Sequence, residues 1–302
     1  MKTNPSYDVI IIGGSYAGLS AAMALGRTLR KVLIIDSGQP CNRQTPHSHN
    51  FLTQDGKTPA EIAETAKQQV LAYPTVEFLE DLVIQANTYE QGFEVKTQSD
   101  QIFHAKKLFL AFGIKDEFPD IPGLAACWGI SVIHCPYCHG YEFRGKKTGI
   151  LANGARAYHL ATLVSKLTDQ LQIITTDPGD FSPEQREKLD RNGIRILEKK
   201  PLEILHKDGM MHQVLFKDGS KEAFDAIYTD MPFSLPENLM KSLGCKVTEA
   251  GRIQVDQFQQ TTIPGVYAGG DCVNPLRSVA ASVAAGNLAG AMINHMLSAE
   301  EF

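Results

Sequence analysis

Apolar and polar residues along this chain fall into blocks of two kinds. Short continuous apolar runs, of the length and character of strands buried on both faces, lead into glycine-containing turns and then into segments with helical spacing. The first run is Tyr7-Asp8-Val9-Ile10-Ile11-Ile12, which enters Gly13-Gly14-Ser15-Tyr16-Ala17-Gly18 and an Ala- and Leu-rich helix expected over 19–29. A second run over 31–35 ends in Asp36. An amphipathic helix is expected over 58–71, opened by Thr58-Pro59 and the early acid Glu61. The period then becomes that of strands. Phe93-Glu94-Val95-Lys96-Thr97 alternates, Ser99-Asp100 turns, Ile102-Phe103-His104 completes a hairpin, and an apolar strand over 107–112 stops at Gly113.

After Gly145-Lys146-Lys147 the same order returns. A strand over 148–151 meets Ala152-Asn153-Gly154-Ala155-Arg156-Ala157, a helix is expected over 158–167, and a strand follows over 171–175. Val214-Leu215-Phe216, the turn Lys217 to Ser220 and Ala223 to Tyr228 repeat the hairpin and final strand. This duplication predicts an α/β fold of two Rossmann-like three-layer nucleotide-binding domains, the second inserted into the first. The first domain is expected over 1–114 and 245–302, and the second over 115–244.

Each repeat is a βαβ unit, so each predicts one bound nucleotide. In the first, Gly13 permits the tight turn, Gly18 lets helix and strand approach, and the helix start faces a pyrophosphate. Ser15 stands where the usual pattern has its second glycine; its small side chain hinders backbone approach only slightly. Asp36 can accept hydrogen bonds from a ribose. The second repeat is degenerate, since Ala152 replaces the first glycine while Gly154 persists. After its strand comes Thr175-Thr176-Asp177-Pro178, without an arginine pair for a 2′-phosphate. Asp177 could accept from an unphosphorylated ribose, which favours NADH over NADPH; alternatively the site has lost nicotinamide binding. Near the C-terminus an apolar strand runs into Gly269-Gly270-Asp271, a carboxylate beside backbone N–H groups that suits a bound polyol. The small, Ala-rich segment over 278–297 is helical and suited to close packing on a cofactor.

Between the repeats lies Cys135-Pro136-Tyr137-Cys138-His139-Gly140-Tyr141-Glu142. Two cysteines at this spacing can close a disulfide or open to a dithiol, a two-electron cycle. Pro136 suits a first helical position, so Cys135 is expected at a helix N-terminus, where the dipole favours thiolate. No second cysteine pair follows at zinc-ligand spacing, and the c-type haem reading of Cys135-x-x-Cys138-His139 requires export. His139, ordinarily titrating near pH 6.5, can move the protons of thiol exchange. The polar stretch 37–57 is too long for an ordinary connection; its His47 and His49 lack further ligands at metal spacing, and no metal site is expected.

Bulk properties narrow the rest. The 302 residues suggest about two domains, and a net charge of -5 without basic clusters gives nucleic acid no purchase. No apolar run approaches a membrane span, and no cleavable signal is evident at the N-terminus. Six cysteines in a chain this long do not make a disulfide scaffold, and a cytoplasmic location is expected.

Asp8 to Gly18, Ala111-Phe112-Gly113, Cys135 to Gly140, Gly145-Lys146-Lys147 and Gly265 to Asp271 fall in an order that resembles the low-molecular-weight thioredoxin reductases. The resemblance spans nearly the whole chain. It implies FAD in the first domain, NADPH or NADH in the second, and a homodimer. By the same resemblance Gly13, Ser15, Gly18 and Asp36 are FAD contacts, Asn50 falls near a flavin contact, and Gly113, Asp271 and Ser278 complete the flavin site. Gly154 and Asp177 would face the nicotinamide nucleotide. Cys135 and Cys138 match the redox pair, with Cys138 nearer the flavin and Cys135 exchanging with an outside disulfide. His139 in place of an aspartate, and the missing arginine pair, look more like the flavin-dependent dithiol oxidases of gliotoxin or holomycin type.

Three functions follow. A reductase would pass electrons from NAD(P)H through FAD and Cys135/Cys138 to a thioredoxin-like protein or small disulfide. A dithiol oxidase would run the flow backwards to oxygen, and a flavin redox sensor would turn nothing over.

Overall fold

The structure is a computed structural model that describes residues 6–302. It forms two compact units. One comprises the chain up to Arg43 with Pro59–Lys115 and Phe233–Phe302; the other comprises Gln44–Thr58 and Asp116–Pro232.

The first unit is built on a seven-stranded sheet. Ser6–Ile12 sits at its centre, parallel to Val32–Asp36 on one side and Ile102–Leu110 on the other. Val76–Glu80 extends the first edge and Val266–Ala268 pairs with Ile102–Leu110, both in parallel. Gly92–Thr97 and Val83–Tyr89 add the antiparallel hairpin strands. Because side chains alternate along a strand, the apolar run of Ser6–Ile12 serves two cores. Ile10 and Ile12 face one, with Leu33, Ile35, Phe93 and Val95, while Val9 and Ile11 face the other, with Val32, Ile34 and Leu25.

Helix Tyr16–Gly26 and the long C-terminal helix Val279–Glu301 cover that second face. Their contact is backbone-close. A Cβ on Gly286 would stand 2.1 Å from the Ala17 carbonyl oxygen, and one on Gly290 would stand 2.7 Å from that of Ala21. Gly286 and Gly290 thus seat this helix against Tyr16–Gly26.

The helix Glu237–Leu243, expected in the second domain, belongs to the first unit. Leu239 and Leu243 bury in the same core as Phe93 and Val95, and Ser242 Oγ donates to the Ala86 carbonyl at 2.7 Å. The return crossover therefore lies at residue 233 rather than 245. Residues 44–58 also depart from the expected division, since Gln44 Nε2 donates to the Trp128 carbonyl at 3.1 Å within the second unit.

The second unit repeats the scheme on a five-stranded parallel sheet, in the order Arg195–Glu198, Leu171–Thr175, Thr148–Leu151, Ala226–Tyr228, Val132–Ile133. A separate three-stranded antiparallel sheet holds Pro201–Lys207, Met210–Phe216 and Lys221–Ala223. Both helices that follow glycine turns begin earlier than their apolar periodicity suggested. They span Tyr16–Gly26 and Gly154–Val164, because Ser15 and Asn153 already stand at N-cap positions in extended backbone.

Candidate functional site

In the first unit the parallel strands end at a common edge, and the turns beyond them border a cleft open to solvent. Gly13, Ser15, Asp36, Gly113, Asp271 and Ser278 all line it. These residues lie far apart in sequence, and the sheet topology alone brings them together, as expected at the carboxyl ends of strands in such folds. Gly18 lies just behind the cleft. Its own Cβ would stand 1.9 Å from the Gly13 carbonyl oxygen, and a Cβ on Gly13, at φ +107°, would stand 2.4 Å from that of Ala111. No side chain larger than hydrogen fits either position.

The charges here are arranged for an anion lying along a polyol. The first turn of Tyr16–Gly26 carries no acidic residue, and the Ser15 side chain makes no cap hydrogen bond, so the positive end of the helix faces the cleft. Asp36 accepts from the backbone N–H of Gly14 and, at 2.7 Å, from that of Gly38. A carboxylate offers about four lone-pair sites, so acceptor capacity remains for a ribose. On the opposite wall Arg277 Nε lies 3.8 Å from Asp271 Oδ2, both side chains largely covered. Ser278 caps the C-terminal helix, its Oγ accepting from Ala281 N at 3.1 Å. Sequence reading missed Tyr16, Asn42, Cys41 and Arg277 on the cleft wall, because nothing in their local pattern marks them. Asn50 is not part of this wall. It belongs to the second unit, where its exposed residue sits at φ +61° and its N–H donates to Asp55 Oδ1 at 2.7 Å.

In the second unit Cys135 and Cys138 occupy a single helical turn, Pro136–His139, with Cys135 at the N-cap and Pro136 in first position. The helix is one turn long. The N–H groups of Cys138 and His139 both point to the Cys135 carbonyl at 3.3 Å, so the dipole acting on Cys135 is that of one turn. Cys135 is buried and Cys138 half-buried. Cys135 is thus the more covered residue of the pair.

His139 departs most from its expected behaviour. Both ring nitrogens are buried without a hydrogen-bond partner. Burial pushes its pKa down to about 4, opposed by the Glu142 carboxylate and reinforced by His49. It is a neutral imidazole at physiological pH, not a group poised near 6.5. The Tyr228 hydroxyl, another buried group without a partner, has its pKa raised by burial and then by Cys135, Glu142 and Cys138. Unsatisfied buried groups of this kind cost about 1–3 kcal/mol each, so two beside one cysteine pair point to a site kept ready for a reaction.

The second glycine turn is already engaged by the chain. Asn153 Oδ1 accepts from Gly154 N at 2.8 Å and Asp180 N at 2.9 Å, and its Nδ2 donates to the Pro178 carbonyl at 3.1 Å. Gly154 is at φ +56°, and a Cβ there would stand 3.0 Å from the Asp180 carbonyl oxygen. Gly179 N donates to Glu198 Oε1 at 2.9 Å, tying the same loop down from its other side. Asp177 lies at the head of this loop, and the Thr176 hydroxyl donates to its Oδ2 at 2.9 Å.

Two dinucleotide folds, one carrying a paired-cysteine turn, define the class: thiol–disulfide oxidoreductases built on duplicated nucleotide-binding domains. The chain matches the pyridine nucleotide-disulphide oxidoreductase family over residues 7–286 and belongs to it. It is 33% identical to thioredoxin reductase tcpT of Claviceps purpurea, over 99% of this chain and 97% of that protein. With thioredoxin reductase aclD of Aspergillus oryzae it shares 31% identity, over 98% of each. Among solved structures, the oxidoreductase from Agrobacterium tumefaciens superposes with a TM-score of 0.91 at 37% identity, covering 97% of this chain and 99% of that one. Among the described residues, no helix is long and apolar enough to cross a membrane.

Proposed function

We propose that the protein is an FAD-dependent thiol–disulfide oxidoreductase of thioredoxin reductase type. In this reading Cys135 and Cys138 alternate between disulfide and dithiol, electrons arrive from NADH or NADPH, and a thioredoxin-like protein or small disulfide receives them. The observation that carries it is the cysteine turn with a neutral, buried and unpartnered imidazole directly after its second sulfur.

FAD fits the first cleft by the criteria its residues supply. The glycines leave no room for side chains, the helix start is free of acids, and Asp36 and Asp271 line one cleft with acceptor oxygens. Gly13, Ser15 and Gly18 would hold the pyrophosphate, Asp36 the adenosine ribose, and Gly113, Asp271 and Ser278 the remainder. Bound there, FAD supplies a carrier that accepts and returns an electron pair. The protein's share is thiol chemistry. A thiol attacks as thiolate, so a proton must leave the attacking thiol and another must reach the departing sulfur; His139, neutral and held near a pKa of about 4, would pass such a proton on rather than hold it. A homodimer in the cytoplasm belongs to the same reading.

A second reading, dithiol oxidation with oxygen as the final acceptor, is favoured by the second glycine turn. Asn153 Oδ1 already accepts from the Gly154 and Asp180 N–H groups at the helix start, donors that a nicotinamide pyrophosphate would otherwise use. The anaerobic flavin spectrum with each donor separates the two. Bleaching by NADH or NADPH supports the reductase, and bleaching by dithiols alone, with peroxide formed in air, supports the oxidase. A flavin indifferent to both removes the enzyme reading and leaves a sensor.

A further inference from the structure

A thiolate at Cys135 gets little support from its own turn. The residue is buried, and burial disfavours charge on sulfur. Pro136–His139 supplies the dipole of four residues only. The N–H groups of Cys138, His139 and Gly140 are taken by the Cys135 and Pro136 carbonyls. A sulfur that leaves a disulfide with the bond's electron pair therefore needs a donor from elsewhere in the fold.

The neighbouring strand offers one. Tyr228 ends Ala226–Tyr228, which runs parallel to Val132–Ile133 with Tyr228 opposite Ile133. Thr229 N donates to the Ile133 carbonyl at 2.9 Å, and Cys135 follows Ile133 by two residues. Ile133 and Tyr228 bury in the same core, among Leu160, Val164 and Leu171. The phenol reaches the cysteine turn itself: its Oη lies 2.8 Å from where a Cβ on Gly140, the residue that caps the turn, would stand. Leu167 Cδ1 borders the same point at 2.6 Å.

Apolar packing accounts for the ring but not for the hydroxyl. Tyr228 is 1% exposed, and among the described residues its Oη has no hydrogen-bond partner. Phenylalanine would fill this core without stranding an O–H, so the fold alone gives no reason for the oxygen. The carbonyls of Pro136 and Gly140 already accept from the N–H groups of Gly140 and Phe143. Burial, and then the charges of Cys135, Glu142 and Cys138, hold the phenol's pKa up, so it keeps its proton and remains a donor.

We infer that the Tyr228 hydroxyl donates a hydrogen bond to the Cys135 sulfur whenever that sulfur is a thiolate. This rests on the thiol–disulfide function proposed above. When attack at Cys138 breaks the Cys135–Cys138 bond, the electron pair of that bond stays on Cys135. When Cys135 in turn attacks an outside disulfide, it forms a mixed disulfide and the outside sulfur leaves with the pair. Both events pass through the Cys135 thiolate, and the Tyr228 proton is transferred in neither.

The test reads the Cys135 thiol directly. FAD-loaded, reduced protein with ¹³Cβ-labelled cysteine is titrated by NMR from pH 5 to pH 10, in a Cys138→Ser background that removes the coupled titration of the neighbouring sulfur. Tyr228→Phe should raise the Cys135 pKa by about one unit, an about tenfold loss of thiolate at any pH well below it. The titration of Cys41, in the other unit, should not move. With both cysteines in place, the same substitution should slow anaerobic flavin bleaching by dithiothreitol about tenfold at pH 7. The urea midpoint should hold or rise, because the ring is kept and a stranded hydroxyl removed. An unchanged Cys135 titration overturns the inference. So does a lowered urea midpoint, which would give the hydroxyl a structural partner, or an equal shift at Cys41, which would make the effect a global one. If the parent protein forms no Cys135–Cys138 disulfide and its flavin ignores dithiothreitol and nicotinamide donors alike, the thiol–disulfide function fails, while the Cys135 titration still decides the hydrogen bond by itself.

Discussion

Acidifying the protein should expose the cost of burying His139. In the unfolded chain the ring titrates near 6.5, and in the folded protein burial holds it down to about 4. The sign follows from which state takes the proton first. Between these values the unfolded chain is protonated and the folded one is not, so folding loses stability as pH falls. The contribution is fully present above pH 6.5, declines through the interval, and stops changing below about 4, where both states carry the proton. Each factor of ten is worth about 1.4 kcal/mol, so the full loss amounts to at most about 3.5 kcal/mol. At a urea slope of about 1–3 kcal/mol per molar, the unfolding midpoint should fall by about 1–3.5 M from this residue alone.

Carboxylates contribute further down the scale, so the assay must be differential. Urea midpoints of the parent and His139→Asn are compared at pH 7.5 and pH 4.5, with a probe in the second unit. The parent should lose more than the variant by most of that amount. A ¹³C-labelled imidazole titration should show one histidine staying neutral down to pH 5. If parent and variant lose stability in parallel, or if every histidine protonates near pH 6.5, the burial argument is wrong.

Other outcomes follow from the same structure. Cys135→Ser and Cys138→Ser should retain a flavin absorbance spectrum yet abolish disulfide turnover, read by absorbance and by a thiol-release assay. Gly13→Ala should cost about 2 kcal/mol or more, because its Cβ meets the Ala111 carbonyl at a left-handed backbone position, and should yield protein depleted in flavin. Asn153→Ala removes an N-cap worth about 1 kcal/mol and frees the 177–180 loop. Nicotinamide-driven bleaching should rise in this variant if that loop is what obstructs the second glycine turn.

Much of this was legible in the residues themselves. The run Val9 to Ile12 is apolar at consecutive positions because both faces are covered, and that pattern belongs to a central parallel strand. Gly13, Ser15, Asp36 and Asp271 were legible for a related reason: turns after such strands converge wherever the chain carries them. What escaped depended on contacts remote in sequence. The acidity of His139 is set by its burial and by His49, ninety residues earlier, and no local pattern reports either. Helix Glu237–Leu243 carries no signal of its unit, which is decided by where Leu239 and Leu243 find a core. Asn153 reads as an ordinary turn residue until the Pro178–Asp180 loop closes over it.

The seating of Gly286 and Gly290 on Ala17 and Ala21 also bears on the order of assembly. The first unit needs its last helix to cover one face of its sheet, so a nascent chain cannot finish it until Val279–Glu301 has left the ribosome. The inserted unit has all its strands by residue 232. Synthesis therefore completes the inner body first, while the strands laid down earliest wait with one flank bare, and that interval is when this polypeptide is most exposed to chaperones and proteases.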